Sequence, residues 1–358
     1  IYPEEAKGHF LAYGGDWGDV PNDNSFCANG LVSANRDPQP ELNEVKFQYQ
    51  NLWFTATEMQ LLSKKVTVYN ENNFANFNEY DVEWEVLEDG KVVKSGTVVT
   101  PSIEGRETQE ISVPYELPEL KDGCEYLLNV RAKLKNDTDW AKAGHELSYA
   151  QFVLPTDQAQ YQAAANTNPV TVTPDNTKFT VTGNGFSFDI DKTSGQMRNY
   201  VYGDDTVIKE GPKPNFWRCL TENDEREGDS IFDHNWRNAM NNATAEVTAA
   251  VENGKNVITA VLTLPSAQDA KVTIVYTIDG SGAVTMHMKS DATNTTMGNY
   301  IMVGSNMILP EGYENVSWYA DGPDETLLDR MTSARATTFS KTVSENFYPY
   351  IKVDDTGM

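Results

Sequence analysis

The sequence has few basic residues and few histidines. Lys and Arg number 28 against 53 Asp and Glu, which gives a formal net charge of −25, and there are only four His. Nucleic acids and anionic membranes recruit clusters of Lys and Arg, so this charge argues against both as partners. Four scattered histidines without a C-x-x-C motif argue against a zinc site. A neutral or cationic partner fits this balance best.

Cysteine is also scarce, and long apolar runs are missing. Cys27, Cys124 and Cys219 are odd in number and far apart, so the sequence implies no disulfide framework. No secretory apolar region and no apolar run of about 18 residues can be found. The sequence therefore offers no candidate membrane span.

The stretch 13–50 is the most unusual part of the chain. It is rich in Gly, Asp, Asn and Pro but contains the large apolar residues Trp17, Phe26 and Leu31. Turn residues of this kind form an ordered irregular loop only when a rigid surround holds them. Chain termini seldom carry such a loop. We therefore infer that residue 1 is not the natural start of the protein.

Most of the remaining sequence predicts strands and turns. Period-2 alternation occurs at 66–69, 81–87 and 126–131, and residues 88–91 form a hairpin signal. Roughly seven short strands between residues 47 and 154 predict an immunoglobulin-like sandwich with Trp84 as its core anchor. After a linker at 155–169, further strands are predicted at 178–181, 185–190, 257–262, 271–276 and 284–288.

Several of these segments carry a family resemblance. Residues 13–50, which begin YGGDWGDVPND and continue FCANGLV, closely resemble the segment that ends the catalytic barrel of family 2 glycoside hydrolases of the large β-galactosidase type. Trp17 replaces the usual Phe and Asn35 the usual Asp. Residues 137–146, 215–224 and 318–330 also resemble motifs of the later domains of this family.

The resemblance implies an all-β chain with a short preceding barrel piece. Residues 1–36 would be the tail of the (β/α)8 barrel and 37–155 an immunoglobulin-like β-sandwich. A linker at 156–169 would lead to a galactose-mutarotase-like β-supersandwich at 170–358, truncated at its C-terminus. The edge near 347–353 would then be frayed or covered by another chain.

The resemblance also implies a function for the parent protein. It would hydrolyse terminal β-D-galactosides with retention, which needs two carboxyl groups about 5 Å apart. In this family both glutamates lie upstream, so we assign no catalytic residue here and expect no activity from this chain alone. The chain would support the barrel and form part of the active-site rim. Magnesium, sodium or potassium, a β-galactoside substrate and a homo-oligomer are implied for the parent enzyme, in the bacterial cytoplasm or periplasm.

Two residues are candidates for the active-site rim. By resemblance, the carbonyl of Phe26 and the side-chain amide oxygen of Asn29 would bind a monovalent cation beside the sugar, and Phe26 would also contact the substrate. Hard cations prefer such oxygen ligands. The alternative is that Asn29 only forms a turn before Gly30 and that Phe26 only fills a core. The loop 222–234 is a second candidate, with a solvated acidic loop as its alternative.

Other functions are also compatible with the sequence. The sandwich domains could form a non-catalytic carbohydrate-binding or structural module, or the parent could act on a β-glucuronide, a β-mannoside or a fucosylated galactoside. We expect the tryptophans outside the first loop to be buried for packing, with sugar stacking as the alternative. They are Trp53, Trp84, Trp140, Trp217, Trp236 and Trp318.

Overall fold

The computed structural model describes residues 12–27, 30–157, 159, 166–220, 224, 233–327 and 330–347. Contacts divide the chain into two compact units. The first is built mainly from Ile1–Gln162 and Asn315–Asn346, and the second mainly from Ala163–Glu314. None of the helices in these ranges is long and apolar enough to cross a membrane.

The first unit contains a sandwich of two antiparallel sheets. One sheet has the order β1-β2-β5, with β1 at Leu52–Thr55, β2 at Lys65–Asn70 and β5 at Thr108–Ser112. The other has the order β4-β3-β6-β7, with β3 at Tyr80–Glu88, β4 at Lys91–Val98, β6 at Tyr126–Leu134 and β7 at Glu146–Val153. Helices α1 (Glu41–Gln48) and α2 (Glu58–Leu62) flank β1, and 3-10 turns lie at Asn24–Cys27 and Phe77–Glu79.

Alternating side chains from both sheets form one core. Val66 and Val68 of β2 pack with Val82 and Trp84 of β3 in a single buried cluster. Trp84 lies against Gly96 of β4, where a Cβ would come within 2.6 Å of the indole ring. The seven strands within residues 47–154 and the core position of Trp84 confirm the sandwich predicted from the alternation.

The turn between β3 and β4 is the hairpin predicted at 88–91. Asp89 and Gly90 both have positive φ, at 46° and 73°, as a tight two-residue hairpin turn requires. Gly90 has a second role, because a Cβ there would lie 2.5 Å from the backbone nitrogen of Thr338. Because Gly90 has no side chain, the backbone of a distant segment of the same unit can pack directly against this turn.

That distant segment is a hairpin of β18 (Asn315–Gly322) and β19 (Arg335–Thr342). The amide of Thr338 donates to the carbonyl of Gly90 at 3.2 Å. The amide of Ala336 donates to the side chain of Gln151 at 2.8 Å. The hairpin thus packs with the first unit, although it follows the second unit in sequence. The domain boundaries predicted from the sequence, after residues 36, 155 and 169, stay predictions.

The second unit is also a stack of two antiparallel sheets. The six-stranded sheet has the order β17-β12-β11-β10-β9-β8, formed by Gly304–Ile308, Asp205–Asn215, Met197–Tyr202, Phe186–Asp191, Lys178–Gly183 and Thr171–Pro174. The four-stranded sheet has the order β13-β14-β15-β16, formed by Thr244–Glu252, Lys255–Leu264, Ala270–Ile278 and Val284–Asp291. Short 3-10 turns lie at His234–Asn238 and Pro265–Ala267.

The core of the second unit again joins both sheets. Phe188 and Ile190 of β10 pack with Ile258 of β14 and with Ile274 and Tyr276 of β15. Each of the five strands predicted after the linker is found within three residues of its expected bounds. These observations confirm the all-β class and the two-sheet architecture predicted for this half.

Candidate functional site

The first candidate site is the loop at residues 12–27. Its own side chains hold it: Asp16 accepts from the amide of Tyr13 at 3.0 Å, and Asp19 accepts from the amide of Gly15 at 3.0 Å. Asn22 donates to the carbonyl of Asp19 at 2.7 Å. Short polar side chains that bond nearby backbone groups favour turns over helix or sheet. These local bonds therefore stabilise the irregular shape of the loop.

A second set of bonds closes the loop on itself. The side chain of Asn22 accepts from the amide of Asn24 at 3.0 Å, and the carbonyl of Asn24 accepts from the amide of Gly14 at 3.0 Å. The closed loop leaves the apolar side chains of Trp17, Val20 and Phe26 exposed. A large apolar surface on an ordered loop marks a contact site for another molecule or another part of a protein.

Phe26, one of the two predicted rim residues, lies in the 3-10 turn Asn24–Cys27 with its side chain 58% exposed. The described residues leave this ring exposed, and the choice between a rim residue and a core residue of the whole protein stays a prediction. Its amide donates to the carbonyl of Asp23 at 3.2 Å. Asn29, the other predicted residue, lies outside the described residues, so the geometry of the pair stays a prediction.

The second candidate, the loop 222–234, is described only at Asp224, Asp233 and His234. Asp233 accepts from the amides of Asn235 at 2.8 Å and Gly298 at 3.2 Å, which caps the 3-10 turn. The ring of His234 contacts the ring of Trp217 edge-on at 5.2 Å. These contacts anchor the end of the loop to its own unit.

The motif at 215–224 is held by packing and by one ion pair. Phe216 is buried with Trp236 and Tyr300, with ring centroids 5.4 Å from each. Arg218 donates to the carboxylate of Asp224 at 2.7 Å, and Asp224 is itself buried. These contacts give the described residues of the motif a structural role.

The motif at 318–330 proves to be a docking element of the first unit. Arg330 is buried and donates to both Glu41 of α1 and Glu325. Glu44 of α1 accepts from the amide of Ser333 at 2.8 Å. The sequence shows Glu325 and Arg330 five residues apart in the motif. It does not indicate that Glu41 also binds Arg330.

A charged cluster on β7 completes this docking surface. Arg335 of β19 donates twice to the Glu146 carboxylate, and its guanidinium lies 3.3 Å from the ring centroid of Tyr149. Burial alone would raise the pKa of Glu146, but the hydrogen bond and charge of Arg335, with Lys46 and Arg131 nearby, outweigh burial and lower that pKa. The pair is therefore ionised and attractive at neutral pH.

No set of three or more His, Cys, Asp or Glu side chains in the described ranges could hold a metal ion. Several carboxylates have structural roles instead: Asp16 and Asp19 close the first loop, Asp233 caps a 3-10 turn and Glu146 pairs with Arg335. The described geometry thus supports a scaffold with exposed contact loops.

Comparison with protein families gives three matches in chain order. Residues 2–54 match the glycosyl hydrolases family 2 TIM barrel domain, 66–155 match β-galactosidase domain 4, and 182–358 match the β-galactosidase small chain. A β-galactosidase of Priestia megaterium is 33% identical over 97% of this chain and 33% of its own length. A β-galactosidase of Halalkalibacterium halodurans is 30% identical over 97% of this chain and 34% of its own length.

A solved structure, the exo-chitosanase of Amycolatopsis orientalis in complex with PNP-beta-D-glucosamine, shows only a weak likeness. It is 13% identical, with a TM-score of 0.25, over 72% of this chain and 29% of that chain. The chain spans about a third of the length of the curated relatives it matches. The chain belongs to glycoside hydrolase family 2 and corresponds to a part of the large β-galactosidases of that family.

Proposed function

We propose that this chain is the non-catalytic portion of a retaining β-galactosidase, and that the whole protein hydrolyses terminal β-D-galactosides. The observation that carries this proposal is the self-closed loop at 12–27. It lies in the part that matches the family barrel model, and it exposes Trp17, Val20 and Phe26 on an ordered backbone. Such a loop is suited to contact the remainder of a barrel and to line the edge of its active site.

In this proposal Phe26 acts at the rim of the active site. Its exposed ring would form an apolar wall beside the sugar, and its carbonyl oxygen would bind a sodium or potassium ion together with the amide oxygen of Asn29. A neutral carbonyl oxygen is a suitable ligand for a hard monovalent cation. No donor among the described residues bonds the Phe26 carbonyl. Magnesium would be held by groups outside these residues and would help to order the substrate site.

The partners of the whole protein follow from the same proposal. A β-galactoside would be its substrate, and nucleic acids and anionic membranes would not bind, because 53 acidic residues oppose 28 basic ones. A homo-oligomer is proposed by analogy with large enzymes of this family, and light scattering of the whole protein measures it. None of the three cysteines, all of them in the described part of the chain, forms a disulfide, which suits the bacterial cytoplasm and is tolerated in the periplasm.

Mixing experiments test the proposal. The chain and the upstream part of the same gene are expressed separately, and galactoside hydrolysis is measured for each half and for the mixture. We expect activity only in the mixture. Phe26→Ala should preserve association of the halves but raise the KM and weaken the sodium or potassium dependence. Val251→Ala, an exposed apolar change on β13 of the second unit, is the matched control.

A further inference from the structure

The first unit contains a cleft of about 690 Å³ at one end of its sandwich. It lies between the C-terminal end of α1, the start of β3 and the β6–β7 loop at 135–145. Trp140 and His145 form one side, and Tyr80 and Leu52 contribute further apolar surface. No described residue of the two candidate loops lines it. The size is in the range of small-molecule sites.

The β6–β7 loop holds Trp140 in an open position. Asp137 accepts from the amide of Ala143 at 3.0 Å and pairs with Lys142 at 2.7 Å, while Thr138 and Ala141 bond each other. These bonds give the loop a defined conformation, in which Trp140 is 67% exposed. This outcome differs from the burial that the sequence predicts. Its ring meets the His145 ring in a T-shaped contact, with centroids 5.5 Å apart, and the exposed indole lines the cleft, where a ligand can reach it.

The floor of the cleft carries buried polar groups with fixed orientation. Gln50 is 4% exposed and Ser148 is 1% exposed. The side-chain oxygen of Gln50 accepts from the amide of Tyr149 at 3.0 Å, and the hydroxyl of Ser148 accepts from the amide of Leu52 at 3.3 Å. Neither side chain donates a hydrogen bond to any residue that the structure describes. The amide nitrogen of Gln50 and the hydroxyl hydrogen of Ser148 are therefore available to an acceptor in the cleft.

The rim adds further hydrogen-bonding groups. Burial and the neighbouring Glu79 carboxylate raise the pKa of Tyr80, so its hydroxyl remains protonated in neutral solution. Lys46 and Asn136 also line the cleft. An exposed indole face together with fixed amide and hydroxyl donors matches a ligand that has one apolar face and a ring of hydroxyl groups. A pyranose has this pattern, since its axial C–H groups form an apolar face and its hydroxyls project from the edge.

We propose that this cleft is a second saccharide-binding site, separate from the galactosidase site, in which a neutral pyranoside stacks on Trp140 and accepts a hydrogen bond from Gln50. A charged ligand suits the cleft less well, because Lys46 and Glu79 both lie at the rim. The site would add affinity for glycan chains without taking part in bond cleavage. The proposal does not rest on the proposed galactosidase function, because this chain alone contains every residue involved.

Binding of simple glycosides to this chain tests the proposal. The probes are methyl β-D-galactopyranoside and methyl β-D-glucopyranoside. Binding is measured by NMR, both as saturation transfer from the protein to the sugar and as the chemical-shift change of the Trp140 indole N–H signal. We expect a Kd of about 1 mM, the range for a ligand of this size in one shallow site. Trp140→Ala should weaken binding about tenfold or more, while Trp140→Phe keeps a stacking ring and should retain most of it.

The controls separate this site from others. Trp17→Ala removes another exposed indole that lies outside the cleft and should leave binding unchanged. Gln50→Glu keeps the acceptor for Tyr149 but removes the amide donor, and should weaken binding while the chain stays folded. If neither glycoside gives saturation transfer at about 10 mM, ten times the expected Kd, the proposal is wrong. Equal binding by wild type and Trp140→Ala would also overturn it.

Discussion

Replacing Arg335 with alanine should release the β18–β19 hairpin from the first unit. Arg335 donates to Glu146 through both terminal nitrogens, one of them at 3.2 Å, and stacks on Tyr149 at 3.3 Å. Both partners of the ion pair are only part-buried, with side chains 27% and 18% exposed. Removing one partner would leave the Glu146 carboxylate in a partly desolvated position without its main counter-charge.

The size of the effect follows from these contacts. Breaking a buried ion pair costs about 3–5 kcal/mol and a stacked guanidinium adds about 1, but partial exposure reduces the total. We expect a loss of about 3 kcal/mol in the docking free energy of the hairpin, which corresponds to about a hundredfold larger population of the locally open state. Arg335→Lys keeps the charge but loses the bidentate hydrogen bonding and most of the stacking. Its docking free energy should therefore lie between those of the wild type and Arg335→Ala.

Amide hydrogen exchange measures this docking directly. The amides of Ala336 and Thr338 donate to Gln151 and to the carbonyl of Gly90, so these bonds report on docking to the sandwich. They should lose about a hundredfold of their protection in Arg335→Ala, on the scale just derived. Lys142→Ala removes an exposed ion pair with Asp137 and is the control, with an expected change below about 0.5 kcal/mol. Unchanged protection of Ala336 and Thr338 in Arg335→Ala would refute this reasoning.

Three further predictions concern pH and packing. The pKa of Glu146 is lowered on folding from its ordinary 4.5, so its contribution is complete above that pH and is lost as the pH falls through the folded value. Protection of the hairpin amides should fall more steeply in acid for wild type than for Glu146→Gln, and parallel profiles would contradict this. Gly96→Ala places a Cβ 2.6 Å from the Trp84 ring and should cost about 1–3 kcal/mol in urea unfolding, whereas an unchanged midpoint would refute the contact. Trp236→Ala should lower the unfolding free energy of the second unit by about 3–5 kcal/mol, because Trp236 is buried. A loss below about 1 kcal/mol would show that Trp236 is not part of the hydrophobic core.

The strands could be predicted because each of them is encoded locally. The alternation in β3 and β10 matches the buried positions along these strands, and a hairpin turn such as Asp89–Gly90 depends on two residues. The core place of Trp84 also follows from its phase in β3. Helix α1 was not predicted. Its helical turns begin after Pro40, and its Phe47 packs on Trp53 and Tyr149, two rings that come from different strands.

The docking of the last hairpin could not be predicted from the sequence. It depends on pairs such as Arg335 with Glu146, which are 189 residues apart and look like ordinary surface charges in the sequence. The exposure of Trp140 was missed for a related reason, since the bonds that hold its loop open come from Asp137 and Thr138 through backbone groups. For the rim, sequence resemblance alone selected Phe26 and Asn29. The structure adds the exposed position of Phe26, and the cation site stays a prediction.

The most direct test of the central claim is proton NMR of galactoside hydrolysis by the two halves, alone and mixed. This chain alone should release no galactose, because the paired carboxyl groups of a retaining glycosidase are assigned to the upstream part. The mixture should release galactose first as the β-anomer, which then equilibrates with the α-anomer. Hydrolysis by this chain alone would contradict the account, and so would an inactive mixture of two folded and associated halves.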